Sequence, residues 1–63
     1  MSKMPVVNIY MWKGRTIEQK RKLAAEITKV FESVAGVSPQ FLNIIFHDVD
    51  KSDWANAGKL ASD

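Results

Sequence analysis

Sixty-three residues can build one small domain and no more, because a chain of this length buries only about 60% of the surface that its unfolded form exposes. The absence of cysteine removes a disulfide frame or a thiolate metal site as extra support, and a lone histidine, His47, argues against zinc held by one chain. Nine basic and seven acidic residues give a net charge of +2 mixed along the sequence, a mild bias that suits a small anion and does not demand nucleic acid.

The amino terminus, "MSKMPVV", has no apolar run of signal-peptide type, and nothing in the chain approaches the roughly 20 apolar residues of a membrane span. A soluble, cytoplasmic protein is expected. "PVVNIYMW", residues 5–12, is rich in β-branched and aromatic residues and is closed by "KGR", so it reads as a strand. Val6, Tyr10 and Trp12 alternate with Val7, Ile9 and Met11, and only Asn8 breaks the run. Both faces of such a strand need covering.

"TIEQ", from Thr16, has the form of a capping box and predicts a helix of about 19 residues that ends at Gly36 as a left-handed cap. Ile17, Leu23, Ala24, Ile27, Val30, Phe31, Val34 and Ala35 fall in one arc, opposite Glu18, Arg21, Lys22, Lys29 and Glu32. Lys20 lies inside the apolar arc and is expected to snorkel to solvent, with a polar role at a subunit contact as the other reading. "SPQ", 38–40, predicts one short turn with Pro39 at its first position. "FLNIIFHDV", 41–49, then reads as a second strand, apolar on both faces. Strand, helix, strand is a βαβ unit of α/β (α+β) class with its strands parallel. The tail "DKSDWANAGKLASD" ends in a "KLAS" that predicts a short edge strand. The helix stripe alone cannot offset the entropy of ordering the chain, and the two-faced strands hold much of the remaining apolar surface. An obligate homo-oligomer is expected.

Few residues offer chemistry. Arg15 follows the first strand directly, at the turn into the helix, where it can hold a carboxylate; the plainer reading is a solvated turn residue. Trp54 stands in a polar tail and must pack on something, a subunit interface or a pocket wall. His47 beside Asp48 is read as a hydrogen-bonded structural histidine. Lys20, Arg21 and Lys22 scatter around the helix, which favours a solvated face over a nucleic-acid stripe.

Together, "PVVNIYMWKGRTIEQKRKLAAEIT" and "DWANAGKLASD" resemble the 4-oxalocrotonate tautomerase family of the tautomerase superfamily. The resemblance runs over nearly the whole chain from Pro5: a proline opening the first strand, G-R-T closing it, E-Q-K-R starting the helix, and an aromatic followed by A-G-K-L-A-S. It implies a single tautomerase-like domain over 5–63, preceded by an extension over 1–4, with dimers of βαβ chains assembling into a homohexamer. It further implies a cofactor-independent, metal-free isomerase that moves a proton on a small anionic 2-hydroxydienoate or enolpyruvate-type acid. By position Pro5 corresponds to the amino-terminal proline that acts as general base and acid. Arg15 corresponds to the arginine that binds a substrate carboxylate, and Trp54 to the aromatic wall. Asn43 stands where well-known members carry a second arginine, which implies a weaker or differently selective tautomerase, not necessarily an inactive one. "WANAG" replaces a glycine-richer segment, so the pocket rim is expected to differ in shape. Asn56 lies where hydratase and dehalogenase relatives would use a carboxylate, and Asp50 and Asp53 read as turn residues, so proton transfer is favoured over hydration.

The role carried to Pro5 needs a free secondary amine, and the resemblance therefore implies Met4 as the native start, with "MSK" upstream of it. A chain that keeps residues 1–4 is expected to have that nitrogen tied up as an amide. Two other classes remain open on the residues: a non-catalytic oligomeric protein that keeps the scaffold, and a strand-and-helix DNA-binding dimer of ribbon-helix-helix type, against which the second apolar strand counts. The expectation from the resemblance is a small-molecule partner with no membrane or nucleic-acid role.

Overall fold

The computed structural model describes residues 5–63, so the expectations placed on the extension 1–4 lie outside the described residues. Strand β1 (Val6–Trp12) pairs in parallel with strand β2 (Asn43–Val49), from Val6 opposite Asn43 to Trp12 opposite Val49. Helix α1 (Ile17–Ala35) connects them, giving the βαβ unit that two apolar runs separated by a helix-length segment require. This parallel pairing within one chain removes the ribbon-helix-helix reading, in which another helix would stand in place of β2.

The ends of α1 are set by local chemistry. The Gln19 N–H donates to Thr16 Oγ1 at 3.1 Å and the Thr16 N–H donates to Gln19 Oε1 at 2.9 Å, so two donors left over at the helix start are satisfied reciprocally. At the other end Gly36 takes φ 68°, and its N–H donates to the Glu32 carbonyl at 3.2 Å. Strand β2 begins two residues later than the apolar run predicts. Pro39 starts a 3-10 turn, Pro39–Phe41, in which the Phe41 N–H bonds the Ser38 carbonyl at 2.9 Å and the Leu42 N–H bonds the Pro39 carbonyl at 3.2 Å. Those two donors are thereby withdrawn from the ladder, which starts where the Asn43 N–H donates to the Pro5 carbonyl at 3.1 Å.

Strand alternation divides the apolar residues between two faces. Val7, Ile9 and Met11 share one face with Ile44, Phe46 and Asp48, and a bond from Lys20 of α1 to Asp48 identifies this as the helix-covered side. Ala24, Ile27 and Phe31 are the half-buried apolar residues of α1 that supply the other half of this layer. Val6, Tyr10, Trp12 and Ile45 lie on the opposite, open face and stay exposed, Tyr10 at 63%. No described residue is fully buried. Ile17, Leu23, Val30 and Val34, expected in the buried arc, are also exposed, Val34 at 81%, because two strands are narrower than the apolar arc laid on them.

The "KLAS" segment does not join the edge of the main sheet. Its residues form β4 (Lys59–Leu60), which folds back antiparallel on β3 (Ala55–Asn56). The two residues between them both take positive φ, Ala57 at 56° and Gly58 at 79°. Such a loop matches the twist of a hairpin, and glycine or asparagine usually supplies it. Alanine holds the conformation here at a cost. Replacing Ala57 with Asn should therefore stabilise the protein by about 0.5–1 kcal/mol, read as a higher thermal midpoint at fixed protein concentration.

Candidate active site

The residues singled out by sequence fall at two ends of one small sheet. Pro5 is half-buried just before β1, and its carbonyl is tied to the N–H of Asn43, the first residue of β2. Asn43 itself is exposed and lies on the open face, paired with Val6. These two residues form the first end. Arg15 lies beyond the other end of β1, in the turn that leads into α1. Seven residues of strand at about 3.3 Å each place the ends roughly 20 Å apart, so one chain does not bring Pro5 and Arg15 together.

The turn that carries Arg15 is firmly held. Gly14 adopts φ 126°, a conformation that other residues rarely take, which lets the chain leave β1 sharply. The Lys13 N–H extends the ladder to the Val49 carbonyl at 3.1 Å, and Lys13 Nζ pairs with Asp50 Oδ1 at 3.2 Å. On the far side of the turn Lys20 Nζ pairs with Asp48 Oδ2. The Lys20 ammonium thus ends on a partly exposed carboxylate at the end of β2, where it keeps some contact with water. Arg15 has no carboxylate partner among the described residues, and its side chain borders a groove of about 350 Å³ with Gln19, Lys22, Leu23 and Glu26. A guanidinium on a braced turn, with no internal anion, is suited to receive one from outside.

Trp54 packs at this same end. Its ring meets Trp12, the last residue of β1, edge to face, with centroids 5.8 Å apart and planes at 76°. Lys51 Nζ stands 4.9 Å from the Trp12 ring centroid. The backbone fixes Trp54 on both sides: its N–H donates to the Lys51 carbonyl at 3.3 Å, and its carbonyl accepts from the Ala61 N–H at 2.7 Å. Trp12 and Lys51 are not among the site residues expected from sequence. Strand alternation could have marked Trp12, since it puts that ring on the open face; nothing in the order of residues pairs it with Trp54.

His47 is accounted for without catalysis. Its Nε2 lies 3.0 Å from Asn8 Oδ1, and its ring stacks on Tyr10 with centroids 4.3 Å apart. The neighbouring Asp48 points to the helix side, so the two cannot act as a dyad. The described residues hold no group of three or more His, Cys, Asp or Glu able to bind a metal ion, and no helix among them is long and apolar enough to cross a membrane.

Comparison with known proteins gives the architecture its class. The family model described as tautomerase enzyme matches residues 5–63, beginning at the proline. The chain is 42% identical over 57 residues to a probable tautomerase from Ralstonia nicotianae, covering 90% of this chain and 88% of the relative. It is 37% identical over 60 residues to 2-hydroxymuconate tautomerase from Bacillus subtilis, covering 95% and 97%. A solved 4-oxalocrotonate tautomerase isozyme structure from Methylibium petroleiphilum superposes with a TM-score of 0.88 at 29% identity, over 92% of this chain and 91% of that one. Fold and sequence thus define a small tautomerase-type isomerase. The chain belongs to the tautomerase family, within its 4-oxalocrotonate tautomerase group.

The Lys20–Asp48 pair should couple the helix start to β2 by about 1 kcal/mol, as expected of a partly exposed ion pair. A double-mutant cycle with Lys20→Met and Asp48→Asn, followed by denaturant unfolding at fixed protein concentration, measures it; a coupling of zero removes the pair as a brace.

Proposed function

We propose that this protein is a keto-enol tautomerase that uses the secondary amine of Pro5 as general base and acid on a small 2-hydroxydienoate or enolpyruvate-type acid. The observation that carries the reading is the family match beginning at Pro5 itself, with Pro5 at the mouth of β1. In the reaction the proline nitrogen accepts the proton of the 2-hydroxyl as the oxygen becomes a carbonyl, and returns a proton to a carbon of the conjugated chain. Atoms balance without a cofactor. An apolar wall and a neighbouring cation both disfavour a charged amine and so keep the base available near neutral pH. Arg15 holds the substrate carboxylate and offsets negative charge that develops on the dienolate. Asn43, beside Pro5, can donate a hydrogen bond but adds no charge.

The separation of Pro5 from Arg15 supports a site completed between copies. If two chains associate with their β1 strands antiparallel, the Pro5 and Asn43 end of one lies near the Trp12, Arg15 and Trp54 end of the other. Val6, Tyr10, Trp12 and Ile45, which the single chain leaves exposed, offer a second face for contact between such dimers. We take the assembly to be a homo-oligomer, built of dimers and extending to a hexamer. A non-catalytic scaffold is the second reading, and it applies wherever the Pro5 nitrogen is an amide.

A chain whose first residue is Pro5 should isomerise 2-hydroxymuconate or phenylenolpyruvate in an ultraviolet assay, and a chain retaining residues 1–4 should be slower by about 10²- to 10⁴-fold. No rate above buffer for either acid with the proline free would sink the enzymatic reading. Arg15→Ala should lower kcat/KM by roughly 10- to 100-fold, the worth of a charge-assisted hydrogen bond, while sedimentation shows the assembly unchanged.

A further inference from the structure

The corner formed by Trp12, Trp54 and Lys51 bears on which acid the site accepts. We infer that Trp12 is a specificity-determining residue that, with Trp54, makes the site select an aryl-substituted enol monocarboxylate over a linear dicarboxylate; this rests on the tautomerase reading above.

Two observations carry it. The first is the aromatic geometry. Trp12 is 44% exposed, lies three residues from Arg15, and meets Trp54 edge to face. An edge-to-face pair leaves one ring face and one ring edge at a right-angled corner, and a third aromatic ring can stack on the face while it meets the edge. A linear dienoate chain has less flat surface to place there.

The second is the count of charges. Lys13 is paired with Asp50 and Lys20 with Asp48, while the Lys51 ammonium lies over the Trp12 ring. Arg15 and Lys22 border one groove together with Glu26, so these three side chains carry a net charge of +1 there, enough for one carboxylate. At the Pro5 end the adjacent polar side chain is the neutral Asn43. A second carboxylate would give up its hydration for an ammonium already held over the Trp12 ring. An aryl group at that position gives up nothing of the kind and gains apolar contact.

The experiment uses the chain beginning at Pro5 and two unreactive acids that lack the enol, trans-cinnamate and trans,trans-muconate, with binding read by titration calorimetry. Cinnamate should bind more tightly than muconate by about 5-fold or more, from ring contacts of the usual strength. Trp12→Leu should weaken cinnamate by about 5- to 10-fold and leave muconate within about 2-fold. Trp12→Phe, which keeps a ring, should retain most of the preference and covers the case in which the leucine variant does not assemble. Muconate binding as tightly as cinnamate would overturn the inference and point to Lys51 as a second carboxylate receptor. Equal weakening of both acids by Trp12→Leu, or no binding of cinnamate at all, would overturn it as well. Should cinnamate bind as described while neither enol acid is turned over, selection at this corner stands and the proposed catalysis fails.

Discussion

The constraint on which the rest of this protein depends is thinness. One helix lies on two strands, and a sheet of two strands covered on one face cannot enclose anything. Among the described residues, the half-buried layer between α1 and the β1–β2 pair is the main interior. Its open face carries tyrosine, tryptophan, valine and isoleucine where an independent domain would carry polar groups. The precision of the helix ends compensates only locally: a reciprocal cap at Thr16 and a left-handed Gly36 fix where α1 starts and stops, and hence where β2 re-enters the sheet.

The same thinness decides how charge is used. With so little interior, Lys20 can reach across from α1 to Asp48 while both stay partly in contact with water, so the pair escapes most of the desolvation cost of a buried one. Together with Lys13 and Asp50 it brackets the turn that presents Arg15. Two of the four ion pairs among the described residues thus bracket this arginine, which itself has no carboxylate partner among them.

Much of this was legible in the order of residues. A capping box, a glycine stop and two β-branched runs dictate the βαβ unit, since each is a short-range signal that its own neighbours satisfy. The start of β2 was misjudged because Phe41 and Leu42 are apolar enough for a strand, yet Pro39 commits the chain to a tight turn first. The short strand in "KLAS" forms as expected, but it pairs with β3 and not with the main sheet, because Ala57 and Gly58 turn the chain back, and alanine is a poor advertisement for a positive-φ turn. At the candidate site, resemblance supplied Pro5, Arg15, Trp54 and Asn43, whereas Trp12, Lys51 and the Lys20–Asp48 bond arise from contacts between segments far apart in sequence. No periodicity encodes those.

Because Pro5 and Arg15 stand at opposite ends of β1, the proposed site has a genetic consequence. Each chain would own two half-sites and no whole one. Two variants, one damaged at Pro5 and one at Arg15, would each be impaired at every site alone, yet a mixed dimer would hold one intact site beside one doubly damaged site. Complementation between two defective alleles would then be a property of strand length.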